Sequence, residues 1–101
     1  MLFSLSMFPI VGEESLVRPV ADVVDEIDRA GLRYQVTGMD TLIEGDWDRV
    51  LPVIYRAEQR LRARYDRVFM QLTLDDHVGA EGRLRGSVED VERELGRGVQ
   101  H

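Results

Sequence analysis

The segment Thr41-Leu42-Ile43-Glu44-Gly45-Asp46-Trp47-Asp48 joins two elements of secondary structure. Its first four residues are typical of a short buried strand, and Gly45 frees the backbone to turn. Asp46 is suited to cap a helix that begins at Trp47. Three carboxylates and one indole within five residues also suit a cationic or aromatic ligand, because the acidic charges oppose the attraction of a helix N-terminus for phosphate. The segment therefore predicts a strand-to-helix junction beside a polar site.

Three of these four residues also have a purely structural explanation. Asp46 and Asp48 suit the start of a helix as cap and dipole partner, and Trp47 is a natural core residue. Glu44 differs from them, because it ends an apolar run and neither caps nor fills a core in an obvious way. Glu44 is thus the strongest single candidate for a functional residue in this segment.

Apolar periodicity on both sides of the junction predicts the remaining elements. Alternation with a period of two indicates strands, a helical stripe indicates helices, and glycine or proline marks the ends. The predicted strands are residues 2–8, 33–39, 41–44 and 67–74, with a hairpin turn at 38–40. The predicted helices are residues 15–31, 47–63 and 88–95, and a polar loop over 75–86 precedes the last of them.

The order strand, helix, strand, strand, helix, strand, with one added C-terminal helix, predicts an α+β fold of the ferredoxin-like type. We expect an antiparallel sheet with both long helices on one face, and strands one and three central and parallel to each other. One domain is expected over residues 1–96, followed by a flexible tail over residues 97–101.

The sheet face opposite the helices is expected to be open and rich in small hydrogen-bonding side chains. Its predicted occupants are Ser4, Ser6, Gln35, Thr37, Phe69, Gln71 and Thr73. Solvated strand faces usually carry more charge, so this composition favours a second subunit or a small polar ligand. An RNA-binding sheet would need more stacking aromatics than Phe69 and Phe8, together with basic neighbours.

Composition excludes several functional classes. The 101 residues carry a net charge of −6, with 13 arginines and no lysine, which disfavours nucleic-acid binding. The absence of cysteine excludes disulfides and thiol chemistry and is compatible with the cytoplasm. The apolar run over residues 1–11 lacks a basic start and a cleavage site, and Ser4 and Ser6 interrupt it. We therefore expect neither a signal peptide nor a membrane span.

Other polar clusters do not predict a metal or catalytic site. The acidic loop after the fourth strand lacks the ordered spacing of a calcium site and offers one histidine, in the set Asp75, Asp76, His77 and Glu81. No serine has the context of a nucleophile. Glu44 could act with Asp46 or Asp48 in acid–base chemistry, but nothing supplies a reacting partner, so no catalytic residue is expected.

The strand Ser4-Leu5-Ser6 followed by Pro9 and Gly12, the segment Gly31-Leu32-Arg33-Tyr34, and above all residues 41–47 resemble the small thiamine-binding protein family, relatives of the YkoF-like domains. The resemblance implies a ferredoxin-like fold, homodimers formed through the sheet that often pair into homotetramers, and binding of thiamine or its hydroxymethylpyrimidine part. It implies no catalytic activity and no required cofactor.

The chain departs from the family pattern at two positions. The family tends to carry an arginine after two aspartates that follow strand four, where this chain has His77, and often a lysine near the position of Ser87. Basic groups that would bind an anion or close an interface are therefore missing at both places.

The chemistry of thiamine suggests which residues would bind it. The thiazolium is a permanent cation and favours carboxylates and an aromatic face, whereas the aminopyrimidine needs paired donors and acceptors. The expected ligand-binding residues are Ser6, Gln35, Thr37, Thr41, Glu44, Asp46 and Trp47.

Three functions follow as hypotheses. The first is a cytoplasmic, homo-oligomeric carrier or sensor that binds thiamine or hydroxymethylpyrimidine without catalysis. The second is a ferredoxin-like interaction module whose open face serves only as an oligomer interface. The third is a small acid–base enzyme that uses Glu44. None of them involves a nucleic-acid or membrane partner.

Overall fold

A four-stranded antiparallel sheet is the frame of the computed structural model, which describes residues 1–12, 14–79 and 81–100. The strand order is β2-β3-β1-β4. The strands are β1 (Leu2–Pro9), β2 (Arg33–Val36), β3 (Thr41–Glu44) and β4 (Val68–Asp75). The predicted central position of β1 and β3 is confirmed, but the prediction that they run parallel is wrong. A crossover helix returns β2 in the direction of β1, and the hairpin then reverses β3, so β3 must run against β1.

Three helices complete the predicted ferredoxin-like α+β order: α1 (Val17–Arg29), α2 (Trp47–Arg62) and α3 (Arg83–Leu95). Helix α2 is continuous through Pro52, which lies in its second turn and has no backbone N–H to donate to the carbonyl of Asp48. The predicted loop over residues 75–86 is too long, because β4 extends through Asp75 and α3 begins five residues earlier than expected.

The core lies between the sheet and the two long helices. Strand β1 buries every second side chain, Phe3, Leu5 and Met7, and β3 adds Ile43. The helices contribute the stripe Val23, Ile27, Val50, Val53, Ile54, Ala57 and Leu61. Each fully buried aliphatic or aromatic side chain stabilises the fold by roughly 1.5–3 kcal/mol relative to its exposed state. The alternation that predicts the first strand corresponds to the observed burial pattern of β1.

An ion-pair network joins α1 to α2 on the helical side. The Asp22 carboxylate is buried, and its Oδ1 lies 3.0 Å from Nη2 of Arg60. Arg60 also contacts Asp25 at 2.7 Å and Glu26 at 3.2 Å. A buried carboxylate needs such partners, because its desolvation is otherwise costly. This network fixes the two helices against each other on the face away from the open side of the sheet.

Helix α3 packs against one end of the face that was expected to be uncovered. It contacts β2 and β3 and contributes no buried side chain. The remainder of that face is open. Within the described residues no helix combines the length and apolar character that crossing a membrane requires. The last residue of the predicted tail, His101, lies outside the described residues; Val99, in the same tail, donates its backbone N–H to Glu92 at 2.8 Å.

Candidate functional site

The strand register arranges the open-face side chains in rows across the sheet. Directly opposite residues of antiparallel strands share a face, and successive rows lie about 7 Å apart along the strands. The first row is charged at three of four positions: Arg33, Glu44, Leu2 and Asp75. The second is polar apart from one leucine: Gln35, Leu42, Ser4 and Thr73. Ser6 and Gln71 form the third, and Phe8 and Phe69 the fourth.

A shallow depression of about 250 Å³ occupies the second and third rows. The Phe8 and Phe69 rings, whose centroids lie 5.4 Å apart, border it on one side, and the charged row borders it on the other. Its lining is polar apart from one methionine: Ser4, Ser6, Met39, Asp40, Gln71 and Thr73. Closed pockets for drug-sized ligands measure roughly 300–1,000 Å³, so this depression has room for about one heterocyclic ring.

Asp40 is the only carboxylate among the residues that line this depression in the described part of the chain. The Ser4 hydroxyl donates to its Oδ2, and the Thr37 hydroxyl donates to its Oδ1 at 2.7 Å. These hydrogen bonds, first from Ser4 and then from Thr37, outweigh the opposing effect of burial and lower the pKa of Asp40 below its ordinary value. Asp40 is therefore ionised at neutral pH.

The hydroxyl protons around Asp40 are already committed within the protein. Thr37 Oγ1 accepts the backbone N–H groups of Met39 at 3.2 Å and Asp40 at 3.1 Å, which directs its own proton to the carboxylate. Ser6 donates to the Met39 carbonyl at 2.9 Å. Because each hydroxyl has one proton and two lone pairs, Ser4 and Ser6 retain acceptor capacity. The depression therefore presents mainly hydrogen-bond acceptors at the Asp40 end.

The structure does not bring the predicted ligand-binding residues together in one site. They lie on both faces of the sheet and at the start of α2. Ser6, Gln35 and Thr37 lie on the open face, as expected. Thr41 lies on the opposite face, because it pairs with the core residue Leu5, and it is only 5% exposed. A ligand on the open face therefore cannot contact the Thr41 side chain. Gln35 is separated from the depression by Leu42, which lies between it and Ser4 in the second row.

Glu44 has a structural partner in helix α3. Its Oε1 accepts the backbone N–H of Arg83 and, at 3.3 Å, that of Leu84. These are unpaired donors of the first turn of α3, and a carboxylate there also complements the helix dipole. Oε2 lies 3.9 Å from the Arg33 guanidinium, and the side chain is only 13% exposed. Glu44 thus acts as a remote N-terminal cap that attaches α3 to the sheet.

Asp46 and Trp47 lie at the end of the sheet, away from the depression. Asp46 occupies the N-cap position of α2 as predicted, although its side chain makes no capping hydrogen bond. The Trp47 ring packs edge-on against Phe3, with centroids 5.9 Å apart, and the residue is 46% exposed. The indole therefore contributes chiefly to the helical side of the sheet.

A second, acidic depression of about 420 Å³ lies beside Trp47. It is lined mainly by the α2 start and the loop after β4: Met1, Asp46, Trp47, Asp48, Asp76, His77, Val78, Gly79 and Glu81. No side-chain hydrogen bond fixes any of these carboxylates among residues 1–12, 14–79 and 81–100. Nowhere in these described ranges do three His, Cys, Asp or Glu side chains lie close enough together to hold a metal ion. Of these two depressions, the open-face one has lining side chains that hydrogen bonds hold in place.

Asp40 is the functional candidate that sequence reasoning missed. The sequence predicts a turn at residues 38–40 and assigns Asp40 no role beyond that turn. The spacing Thr37-x-x-Asp40 indicates local hydrogen bonding between side chain and backbone. Its position beside Ser4, 36 residues away, depends on the β1–β3 register and has no local sequence pattern.

Replacing Glu44 by alanine is predicted to release the first turn of α3. Loss of a helix cap costs about 1 kcal/mol, and the Arg83 and Leu84 amides lose their acceptor. Hydrogen exchange at these two amides should accelerate, while exchange in β1 stays unchanged. Asp46→Ala is the matched control, because its side chain makes no capping bond. Unchanged exchange at Arg83 in Glu44→Ala would contradict the capping role.

Replacing Ser4 by alanine is predicted to raise the pKa of Asp40 towards its ordinary value, because the largest stabilising hydrogen bond is lost. A carboxyl whose pKa is lowered by folding stabilises the protein above its unfolded pKa of about 3.9, and this contribution disappears as the pH falls through the lowered folded pKa. Carboxyl NMR titration of both proteins measures the change. Thr73→Ala is the control, and an equal pKa in Ser4→Ala and wild type would refute the interaction.

Comparison with known proteins identifies relatives of this chain. The family model described as thiamine-binding protein matches residues 3–92. A UPF0045 protein of Methanothermobacter thermautotrophicus is 35% identical over 83 residues, which covers 80% of this chain and 84% of the relative.

Two solved structures share the fold. A hypothetical protein of Methanocaldococcus jannascii superposes with a TM-score of 0.82 at 21% identity, covering 89% of this chain and 93% of the other. A Thermotoga maritima protein, provisionally assigned to thiamine biosynthesis or salvage, superposes with a TM-score of 0.75 at 21% identity, covering 85% and 94%. The family model spans nearly the whole chain, and on that ground the chain belongs to the thiamine-binding protein family.

Proposed function

We propose that this protein binds thiamine or its hydroxymethylpyrimidine precursor, without catalysis, in the open-face depression. The observation that carries the proposal is the acceptor-rich polar depression around Asp40, beside an aromatic pair, on a sheet face that the long helices leave open. The description of the family and the provisional role of the Thermotoga maritima neighbour support the choice of ligand.

The depression suits the pyrimidine half of the ligand. Its size accommodates one ring, and the amino group of the pyrimidine is a donor for the Asp40 carboxylate and the hydroxyl oxygens of Ser4 and Ser6. Gln71 and Thr73 supply donors for ring nitrogens from the other strand. The thiazolium of thiamine would then extend outside the depression, where the net charge of −6 favours a cation.

A role as carrier or sensor in the cytoplasm agrees with these features. The absence of cysteine is compatible with that compartment. The acid–base alternative is less well supported, because both Glu44 contacts to α3 tie its carboxylate to backbone amides rather than leaving it free for proton transfer.

Self-association through the sheet is the second part of the proposal. Strand β4 is an edge strand of eight residues without proline or lysine, whereas the other edge, β2, has four residues. Apolar side chains on both faces of β4 remain exposed: Met70 at 37%, Leu74 at 39% and Phe69 at 46%. A long apolar edge strand favours pairing with another strand. A second copy of this chain, paired along β4, would cover it.

Thiamine and hydroxymethylpyrimidine are predicted to stabilise the protein against unfolding. A ligand at 100 times its dissociation constant raises the unfolding free energy by about 2.7 kcal/mol. Thermal shift and titration calorimetry measure the effect. Gln71→Ala should weaken binding about 2- to 10-fold through loss of a neutral hydrogen bond. Gln59→Ala, on the exposed side of α2, should not. Absence of binding by either ligand at millimolar concentration would refute the proposed function.

Light scattering is predicted to give a mass of two or four times the 11.6 kDa of one chain. Met70→Lys places a charge on the β4 edge and should shift the population to monomer, because edge lysines block strand pairing. Val17→Lys, at an exposed position of α1, is the matched control. A wild-type protein that stays at 11.6 kDa at every concentration would refute association through β4.

A further inference from the structure

We propose that Asp40 is the specificity-determining residue of the open-face depression, and that it selects heterocycles carrying an exocyclic amino group. This inference rests on the proposed function and goes beyond it, because it assigns the selection of one chemical group to one side chain. It also replaces Glu44, which the sequence favoured, by a carboxylate 4 residues earlier in the chain.

The argument starts from the protons available at the site. An ionised carboxylate accepts hydrogen bonds at about four lone-pair positions and donates none. Ser4 and Thr37 each use one position on different oxygens of Asp40, so both oxygens retain a free position. The protons of Ser4, Ser6 and Thr37 already have acceptors within the protein. A ligand atom that contacts Asp40 must therefore bring its own proton.

The negative charge of Asp40 strengthens the requirement for a hydrogen-bond donor on the ligand. Asp40 forms no salt bridge with any arginine in the described part of the chain. Arg33, on the same face, lies near Glu44 in the first row, and Glu44 separates it from the depression. The carboxylate charge is thus compensated only by hydroxyl dipoles. An amino group supplies two N–H donors to such a site, whereas a ring bearing hydrogen at the same position covers the free lone-pair positions of the carboxylate without supplying a donor to them.

The same geometry fixes the orientation of the carboxylate before a ligand arrives. Thr37 accepts two backbone amides and donates to Asp40, so the hairpin turn itself holds the side chain in place. Ser4 holds the other oxygen from the central strand β1. A preorganised acceptor loses less entropy on binding, which increases its discrimination between donors and non-donors.

The experiment compares hydroxymethylpyrimidine with the same molecule lacking its amino group, by titration calorimetry on the wild-type protein and on Asp40→Asn. Wild type should prefer the amino compound by about 10- to 100-fold, the range of a charge-assisted hydrogen bond. In Asp40→Asn the amide oxygen accepts only a neutral hydrogen bond, and the preference should fall below about tenfold. Circular dichroism and thermal melting verify the fold of the variant.

Asp75→Asn is the matched control, because it removes the same charge from the same face, one row away from the depression and without contact to Asp40. Its preference should equal that of wild type. If Asp40→Asn fails to fold, Asp40→Ser replaces it, since serine is also common in turns.

Each outcome decides between two propositions. Equal affinity of wild type for both compounds, or a preference that Asp40→Asn or Asp40→Ser retains in full, would overturn the role of Asp40 while the proposed binding function stands. A loss of preference in Asp75→Asn equal to that in Asp40→Asn would also overturn it, because general charge would then explain the effect. Failure of wild type to bind either compound or thiamine would refute the proposed function itself.

Discussion

The antiparallel register of β1 with β3 is the constraint on which both the core and the site depend. Pairing of Leu5 with Thr41 places Phe3, Leu5 and Ile43 under the helices. A shift by one residue would exchange the two faces of a strand, because side chains alternate with a period of two. Burial of the core therefore stabilises the observed register relative to a register shifted by one residue. Ser4 and Ser6 reach the open face as a consequence of that burial.

The same register brings Asp40 to Ser4. Asp40 lies one residue before the start of β3, where the hairpin turn ends, and Ser4 pairs with Leu42 two residues further on. The turn sets the side-chain direction through Thr37, and the sheet sets the distance. The Asp40 carboxylate is thus held both by a residue of its own turn and by a residue of a distant strand. A site built from both resists distortion better than a site on a free loop.

Most of the fold could be predicted from the sequence, because the periodicity of apolar residues within each segment indicates its secondary structure and its buried face. The alternating set in β1 and the helical stripes of α1 and α2 correspond to the observed core. The direction of β3 relative to β1 is also fixed by connectivity, so the sequence contains the information that contradicts the parallel prediction. The start of α3 was different, because its first turn is stabilised by Glu44, 39 residues earlier. No pattern within residues 75–86 contains that partner.

The candidate site was predicted in part for the same reason. Ser6 and Thr37 were placed correctly because strand alternation determines their face. Thr41 lies on the face that the helices cover. Glu44 holds helix α3, and Asp40 rather than Glu44 lines the open-face depression. Glu44 accepts backbone amides of helix α3, whereas Asp40 accepts two side-chain hydroxyls and lines an open depression. Sequence position alone cannot distinguish these two environments, because Asp40 directly precedes and Glu44 ends the same short strand.

The openness of the depression links ligand binding to self-association. Ligand sites usually bury 70–90% or more of a drug-sized ligand, and a shallow recess on one sheet face covers only one side of a ring. Helix α3 packs over the first row, where Glu44 accepts the backbone N–H of Arg83. A second copy that pairs along β4 would extend the sheet beside Gln71 and Thr73 and could supply further walls. Ligand binding and association would then be thermodynamically coupled, and each would strengthen the other by the same factor.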